Sequence, residues 1–259
     1  MTEVTTTEKR EGMGGLAKGL AIIEAFSVNS VMSVADAARA SGATRAAARR
    51  CLLTLVDLGY LELTGRDYRP LPRLRRLGGV VSEQDRLVQV ATPLLARARD
   101  ELEESVSLAV LDGDQSLFIA RVEAQHIVAT GVRVGATLPL YCSATGRVLL
   151  SANTEADIKA KLSRTPIVAR TPHGLSNLSD IVAAIEAAAR NGYAISDEEL
   201  ALGLRSLAVP VFGAGHDIVA AVSVSAASAR IKVSDMRKRF LPKLKICADA
   251  ISQALQKLR

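Results

Sequence analysis

Hydrophobic positions between residues 33 and 59 predict two helices separated by a tight break. Ser33 supplies an N-cap hydroxyl for the first, short helix, and Gly42 follows it where a chain leaves a helix and turns. Thr44 then caps a second, longer helix. Apolar residues recur at three- and four-residue spacing, so each helix has one side to bury. These residues are Val34, Ala37 and Ala38 on the first helix and Ala48, Leu52, Leu55 and Val56 on the second.

The segment after the second helix changes to an alternating pattern. Residues 60–63 alternate apolar and polar side chains as a strand does, and Gly65 lies in a turn that favours positive φ. Tyr68 begins a return strand, which Pro70 and Pro72 end. A small hairpin directly after a helix-turn-helix predicts a winged helix-turn-helix.

A basic surface accompanies this motif. Between Ser41 and Val80 the chain has eight arginines and three acidic residues, within a protein of net charge +6. Small side chains between the arginines would let the second helix lie deep in a DNA major groove, where arginine pairs with guanine or binds phosphate. The alternative is an ordinary solvated basic helix face. The predicted base-reading residues are Arg45, Ala46 and Arg49; the predicted phosphate contacts are Thr44, Arg50, Arg66 and Arg69; Lys18 on the preceding helix is a further predicted DNA contact.

The remaining patterns predict helices mixed with strands. Residues 14–28 form a supporting helix in this interpretation, and a long helix runs from about residue 82 through Pro93 to residue 104. From Ser105 the spacing changes to period two, with a hairpin at an Asp-Gly turn and a third strand at residues 126–135. This pattern predicts an α+β domain with an antiparallel sheet and helices on its faces. The predicted buried side of the supporting helix carries Leu16, Leu20, Ile23 and Phe26.

These patterns divide the 259 residues into four segments. The predicted segments are a disordered tail (1–13), a winged helix-turn-helix DNA-binding domain (14–76), a helical linker that also serves as a dimer element (77–104), and an effector-binding domain (105–259).

Composition narrows the classes of protein further. Hydrophobic residues make up 49% of the chain, which is enough for a sizeable core. No apolar run approaches the roughly 18 residues of a membrane span, and the N-terminus is polar, so we expect a cytoplasmic protein with no membrane partner. The absence of Trp and an aromatic content of 3% argue against a platform for RNA or single-stranded DNA. Three scattered cysteines indicate reduced thiols.

Five stretches of the chain are similar to the IclR family of bacterial transcription regulators. They are GLAKGLAIIEAF (15–26), GATRAAARRCLLTLVDLGYL (42–61), SVSLAVLDGD (105–114), PLYCSATGRVLLS (139–151) and DEELALGLRSLAVPV (197–211). Within the family, the chain most resembles the branch that controls aromatic-acid catabolism through the protocatechuate and β-ketoadipate pathway. The resemblance implies a winged helix-turn-helix followed by a GAF-like effector domain, with homodimers or homotetramers on palindromic double-stranded operator DNA.

The same resemblance implies where an effector binds. In the glyoxylate regulator that names the family, the effector carboxylate meets two segments, which correspond here to Ala144 and Thr145, and to Ser196, Leu204 and Ser206. The family pattern has Asp at the position of Ser196 and Cys at that of Ser206. We therefore do not expect glyoxylate as the ligand, and a larger carboxylate, a small aromatic or dicarboxylic acid, fits the closer branch.

The residues around these positions can bind a carboxylate. A helix predicted near Ser143 offers free N–H groups at its start, and the hydroxyls of Ser143 and Thr145 are further donors, with Tyr141 lining the cavity. Arg205 can pair with a carboxylate, although a salt bridge to one of the acids at 197–199 is the alternative. The remaining candidates are Arg133, Arg147 and, on a late alternating strand, Ser223 and Ser225, for which ordinary sheet packing is the alternative.

No catalytic constellation is visible in the sequence. The three histidines are far apart, and Ser143 lies in SATG rather than in a hydrolase Gly-x-Ser-x-Gly elbow. Cys142 is expected to be a packed residue rather than a nucleophile, and no ligand set for zinc or another metal is present. We expect a regulator with no catalytic residues and no cofactor. Two alternatives remain open: a small-carboxylate metabolic enzyme or metabolite-binding protein with weak, nonspecific DNA affinity, and an architectural DNA-binding protein without an effector.

Overall fold

A computed structural model describes residues 13–26, 29–78, 83–125 and 132–257. The chain divides into two compact units, residues 1–80 and 81–259. The predicted tail, apart from Met13, lies outside the described residues, as do residues 126–131 of the predicted third strand.

The first unit is a three-helix domain with a small antiparallel sheet of order β1-β3-β2. Ser33 accepts a hydrogen bond from the Asp36 N–H, and the Asp36 carboxylate accepts one from the Ser33 N–H, so a capping box begins the second helix. Gly42 ends that helix at φ 61°. The elements are α1 (Gly14–Ala25), β1 (Met32–Ser33), α2 (Val34–Ser41), α3 (Arg45–Asp57), β2 (Leu61–Thr64), β3 (Asp67–Pro70) and a 3-10 turn (Pro72–Gly78).

The buried side of α1 differs from the predicted one. Ile22 and Phe26, one turn apart, are buried in the core of this unit with Leu52 of α3, whereas Leu16 and Leu20 are 59% and 49% exposed. The predicted stripe was right for Phe26 and for Ile23, which packs against the same core, and wrong for Leu16 and Leu20. Two overlapping apolar sides exist on this helix, and spacing alone does not say which one packs against α2 and α3.

The second unit contains a six-stranded antiparallel sheet of order β6-β5-β4-β9-β8-β7. The predicted long helix is continuous through Pro93. Of the strand predicted at 126–135, the described residues 132–135 are not in a strand, and a short strand follows at 137–139. The elements are α4 (Glu83–Leu102), β4 (Ser105–Asp112), β5 (Gln115–Val122), β6 (Thr137–Pro139), α5 (Ala144–Leu150), α6 (Glu155–Leu162), α7 (Leu178–Asn191), β7 (Ala194–Asp197), β8 (Leu204–Phe212), β9 (Ile218–Ala227), α8 (Val233–Asp235), a π-helical turn (Met236–Phe240) and α9 (Leu241–Lys257).

The two faces of this sheet pack against different helices. On one face Leu108, Val222 and Leu207 are buried with residues of α4 and α9. On the other face Ala208 and Ala221 pack beneath α5 and α7. Because successive residues of a strand point to opposite faces, the alternation of each strand decides which side chains lie on the face that carries α5. The predicted α+β fold class is confirmed.

Candidate functional site

The cap and the buried stripe of α3 set which side chains reach the surface of the first unit. The Ala47 N–H donates to the Thr44 hydroxyl at 3.3 Å, so the helix begins where the sequence predicted. Ala48 and Leu52 are fully buried and Leu55 nearly so. The side of α3 opposite this stripe is therefore turned outward, and it carries the predicted base-reading residues.

All the predicted DNA-binding side chains of the first unit are exposed. Thr44, Arg45, Ala46, Arg49 and Arg50 lie together on the first two turns of α3 and its cap, as one exposed group. Within the described part of this unit, Arg39 pairs with Asp36, and none of the predicted arginines takes part in an ion pair. Unpaired exposed guanidinium groups on a helix are available to phosphates and base edges.

The wing carries two more exposed arginines. Arg66 lies at the hairpin tip beside Gly65, which has φ 65°, and Arg69 lies on β3 directly opposite Glu62. Lys18 is also exposed, but on α1 rather than on α3 or the wing. A residue that the DNA-binding prediction did not include, Arg73, stacks over the Tyr60 ring at 5.1 Å from its centroid and is exposed as well.

In the second unit, hydroxyl groups cover one half of the sheet face that carries α5. Ser105 opposes Ser225, Ser225 opposes Ser206, and Ser206 opposes Ser196, while Ser107 opposes Ser223 in the neighbouring row. Directly opposed residues of antiparallel strands point to the same side, so these hydroxyls share one surface. We call the six serines 105, 107, 196, 206, 223 and 225 the serine face. It contains the predicted Ser196, Ser206 and Ser223.

Part of the serine face is buried. Ser107, Ser196 and Ser223 are no more than 3% exposed. The Ser196 hydroxyl donates to the Cys142 carbonyl at 3.1 Å, which joins β7 to the segment before α5. Serine is small and polar, so a row of serines leaves room above a sheet and offers hydrogen bonds to what fills it. Leu204 lies on the same side of β8 as Ser206, and its contact with an effector stays a prediction.

The start of α5 uses its predicted donors within the fold. The Ser143 hydroxyl donates to the Pro139 carbonyl at 2.8 Å and accepts from the Gly146 N–H at 3.1 Å. Ser116 donates to the Thr145 hydroxyl at 2.9 Å. A Cβ at Gly146 would lie 2.4 Å from backbone atoms of Leu140, so glycine permits this turn. Ser143, Ala144 and Thr145 are all buried, and their contact with an effector stays a prediction.

Tyr141, just before α5, forms a hydrogen bond with the loop that contains Val168 and Thr171. Its hydroxyl donates to the Val168 carbonyl at 2.9 Å, and the whole residue is buried. The same loop is held a second time, because the Thr171 hydroxyl donates to the Glu198 carbonyl at 2.6 Å. Tyr141 thus already has a hydrogen-bond acceptor in the fold.

Arg205 does not belong to the serine face, and its predicted contact with an effector is corrected. It alternates with Leu204 and Ser206 along β8, so it points to the opposite face of the sheet, that of Leu207. Its guanidinium binds Asp197 at 2.5–2.6 Å and the carbonyls of Ser228 and Ile231. The alternative that the sequence left open, a salt bridge to the acidic segment, is the one the structure contains.

The two other acids of that segment also have partners. Glu199 forms a two-pronged ion pair with Arg147, both side chains being almost fully buried, and Arg147 also donates to the Tyr141 carbonyl at 3.1 Å. The Gly203 N–H, followed by the Ser228 hydroxyl, lowers the pKa of Glu198 below its ordinary value. Arg147, an alternative candidate for binding the effector, is therefore held in an internal ion pair. The other alternative candidate, Arg133, has an exposed side chain.

The prediction missed one arginine that does lie beside the serine face. Arg121 on β5 is directly opposite Ser107, and its side chain is 3% exposed. Its guanidinium donates to the Ser107 hydroxyl at 2.8 Å and meets the exposed Glu123 carboxylate at 3.4 Å. Desolvation lowers the pKa of Arg121, and Glu123 opposes that effect. The sequence contained one signal for this residue, an arginine within the otherwise apolar strand segment LFIARV (117–122).

The thiol of Cys142, the cysteine next to Ser143, is buried in the fold. Burial raises the pKa of the Cys142 thiol, which disfavours a reactive thiolate. Within the described ranges, no group of three or more His, Cys, Asp or Glu residues could hold a metal ion. No helix there is long and apolar enough to cross a bilayer.

Comparison with known proteins places the chain in a family. The model for the bacterial transcriptional regulator IclR C-terminal domain matches residues 79–253, and the model for the IclR helix-turn-helix domain matches residues 15–65. The chain therefore belongs to the IclR family of bacterial transcription regulators, as the sequence predicted. The DNA-binding class is confirmed, and the curated relatives are regulators rather than enzymes.

Individual relatives match almost the whole chain. The Pca regulon regulatory protein of Pseudomonas putida is 37% identical over 232 residues, which cover 89% of this chain and 80% of that protein. A transcriptional regulator from Rhodococcus sp. RHA1 has a solved structure with a TM-score of 0.81 at 36% identity, covering 96% of this chain and all of that one. An IclR homologue from Microbacterium hydrocarbonoxydans, solved in complex with 4-hydroxybenzoate, has a TM-score of 0.81 at 26% identity, covering 94% and 100%.

Proposed function

We propose that this protein is a ligand-responsive transcription regulator of aromatic-acid catabolism, in the protocatechuate and β-ketoadipate pathway. Operator DNA binds the first unit, and a small aromatic or dicarboxylic acid binds the second. The acid shifts the balance between two arrangements of the protein that differ in operator affinity. The name of the Pseudomonas putida relative and the 4-hydroxybenzoate bound to the Microbacterium homologue support this class of effector.

The observation that carries the DNA-binding half is the exposed first two turns of α3. Arg45, Ala46 and Arg49 read base edges, and their neighbours hold phosphates. Arginine matches the O6 and N7 acceptors of guanine with two parallel hydrogen bonds, and an alanine between arginines lets the helix approach the groove floor. The proposed phosphate contacts are Thr44, Arg50, Arg66 and Arg69, and Lys18 is a further proposed DNA contact.

The serine face supports the effector-binding half. An aromatic acid carries oxygen atoms at its carboxylate and ring hydroxyls, and these need hydrogen-bond donors once they leave water. Ser206 and Ser223 supply hydroxyl donors on one surface, and Ser196, whose hydroxyl donates to the Cys142 carbonyl, lies on the same surface with an oxygen that can accept. This surface lies on the sheet face that carries the buried start of α5 at Ala144 and Thr145. Asp and Cys, which the glyoxylate regulators carry at two of these positions, are replaced here by smaller or neutral serines, so the acid is larger than glyoxylate.

The proposal also covers the oligomeric state of the protein, its location in the cell and its domains. Palindromic operators require two copies of the recognition helix, so the regulator acts as a homodimer or homotetramer in the cytoplasm. The proposed domains are residues 14–76 for DNA binding and 105–259 for the effector, with residues 77–104 as the helical linker between them.

The test is a fluorescence-anisotropy titration of promoter DNA next to the protein's own gene against a scrambled fragment of equal length. Arg49→Ala is expected to weaken promoter binding and to reduce the preference over scrambled DNA. Arg190→Ala on α7, an exposed arginine outside the proposed surface, is the matched control and should leave both unchanged. Equal affinity of the wild-type protein for both fragments would contradict the proposal.

A further inference from the structure

The segment that leads into α9 carries a dense group of basic side chains. Residues 230–245, which we call the basic segment, contain seven lysines and arginines and one acidic residue. In the rest of the second unit, residues 81–229 and 246–259, acidic residues outnumber basic ones by eighteen to fourteen. The basic segment therefore supplies all the net positive charge of this unit. Its basic residues are Arg230, Lys232, Arg237, Lys238, Arg239, Lys243 and Lys245.

The fold turns the middle of the basic segment toward solvent. Met236 and Phe240 are 0% and 2% exposed and pack in the same core as α4 and α9, whereas residues 237–239 between them are exposed. The Leu241 N–H donates to the Met236 carbonyl, five residues back, so this turn is π-helical. Such turns are rare in proteins and are frequent at functional sites. The two buried side chains fix the backbone from which three successive cations project.

The ends of the basic segment have partners within the fold. Arg230 binds the Glu104 carboxylate at 2.7 Å, and Lys243 donates to the Glu101 carbonyl at 2.8 Å. In the part of the chain that the structure describes, residues 237–239 take part in no ion pair. The middle of the segment is thus an exposed cluster of three cations whose charge the fold does not use.

We propose that Arg237, Lys238 and Arg239 bind phosphates of the DNA backbone outside the base pairs that the first unit reads. Phosphates are present at every sequence, so this contact strengthens DNA binding without adding base preference. It gives the second unit a direct part in DNA binding, beyond the proposed function. The proposal rests on the DNA-binding class of the family and does not involve the effector.

The chemistry of this surface favours DNA over an acidic protein as the partner. The central part of a protein–protein interface is depleted of charged residues such as lysine and rich in aromatic residues and methionine. The aromatic and methionine side chains of the basic segment, Phe240 and Met236, are both buried. Ile246, directly after the segment, is a single exposed hydrophobic residue, which is ordinary for a protein surface. Exposed lysines and arginines, in contrast, bind DNA by displacing counter-ions from its phosphates.

The test is the salt dependence of DNA binding by the full chain. Fluorescence anisotropy at several salt concentrations measures affinity for the promoter fragment next to the protein's own gene and for a scrambled fragment of equal length. The triple variant Arg237→Gln, Lys238→Gln, Arg239→Gln is expected to bind both fragments more weakly. The slope of log affinity against log salt should fall by about 2–3, because each lost phosphate contact contributes about 0.9. The preference for the promoter should remain.

A matched triple variant removes the same charge elsewhere in the second unit. It is Lys159→Gln, Arg164→Gln, Arg190→Gln, whose side chains on or next to α6 and α7 are 51%, 65% and 68% exposed. This variant should keep the wild-type slope, since it removes no phosphate contact. The single variant Lys238→Gln should lower the slope by about 1, and it provides the test should the first triple variant not fold.

The outcomes separate this proposal from the proposed function. A slope for the Arg237, Lys238 and Arg239 variant equal to that of the matched control overturns the role of the basic segment. Unchanged DNA binding together with lost promoter regulation in a reporter strain also overturns it, in favour of an acidic protein partner. A wild-type protein without preference for the promoter fragment contradicts the proposed function, while the slopes on scrambled DNA still decide whether the basic segment binds phosphates.

Discussion

The arginines at the two candidate sites have opposite surroundings. In the first unit Arg45, Arg49 and Arg66 are exposed and, within the described residues, form no ion pair. In the second unit Arg121 and Arg147 have side chains that are 3% and 5% exposed, and each is bound by named acceptors. The same residue type therefore has two different environments in this chain.

The proposed partners of these arginines account for this difference. DNA is a polyanion that remains in water, and proteins bind it by displacing counter-ions from its phosphates, so useful arginines stay exposed and mobile. A small acid or an internal carboxylate is met inside the fold, where a fixed guanidinium interacts strongly because water is excluded. Counting arginines in a sequence does not separate these uses; burial and pairing do.

The largest expected effect comes from breaking the buried pair of Arg147 and Glu199. Glu199→Ala leaves an uncompensated buried guanidinium, so the free energy of unfolding should fall by about 3–5 kcal/mol. Urea denaturation followed by circular dichroism measures this. The double variant Arg147→Met, Glu199→Leu removes both charges and should recover much of the loss. A cost below about 1 kcal/mol for Glu199→Ala would show that the pair is not desolvated in solution.

Replacing a glycine with alanine should lower the free energy of unfolding at one position in the second unit and raise it at one position in the first. Gly146→Ala in α5 introduces a Cβ 2.4 Å from the Leu140 backbone, so we expect a loss of about 1–3 kcal/mol. Gly19→Ala in α1 meets nothing within 4 Å, so it should gain about 0.4–1 kcal/mol by reducing the entropy of the unfolded chain. Thermal and urea unfolding compare the two. A stabilised Gly146→Ala protein would contradict the close packing of the turn before α5.

Within the first unit, α3 and the wing should respond differently to the loss of an arginine. Arg49→Ala should cost about 1–3 kcal/mol of promoter affinity and relax the base preference at one position. Arg66→Ala should weaken binding similarly for all sequences and lower the slope of log affinity against log salt by about 1. Titrations at several salt concentrations separate the two. Identical behaviour of both variants would remove the distinction between base reading and phosphate contact.

The smallest expected effect concerns the thiols. Burial raises the pKa of Cys247 to about 12, so its neutral form predominates in the folded state. The unfolded thiol has a pKa near 8.5, so folding favours the protonated thiol. The stability that the protein gains from this preference is fully present below pH 8.5 and is lost as the pH rises toward 12. A chromogenic disulfide reagent at pH 8 should therefore label the partly exposed Cys51 well before Cys142 or Cys247. Rapid labelling of all three thiols would contradict their burial.

The winged helix-turn-helix was predictable because its signals are local. Ser33, Gly42 and Thr44 act on neighbouring backbone atoms, and the buried stripe of α3 follows from spacing within a single helix. The side of α1 that packs was not predictable in this way, since it depends on where α2 and α3 lie.

The effector side was harder to predict, because strand alternation there has to be counted from the correct register. Arg205 and Ser206 are neighbours in the sequence but lie on opposite faces of the sheet. Arg121 was missed because its partner Ser107 lies 14 residues away, across a hairpin whose register shifts at Leu108 and Ala109. Tertiary pairing, rather than residue type, decided both outcomes.

The most direct test of the central claim is the affinity of the full chain for its own promoter DNA with and without a saturating aromatic acid, at one fixed salt concentration. A ligand-responsive regulator should change this affinity by about 5-fold or more, and DNA should change the affinity for the acid by the same factor, because coupling between two binding sites is reciprocal. Promoter affinity that remains equal to that for scrambled DNA, or that is unchanged by 4-hydroxybenzoate, protocatechuate and β-ketoadipate alike, would show that this protein is not a regulator that responds to such acids.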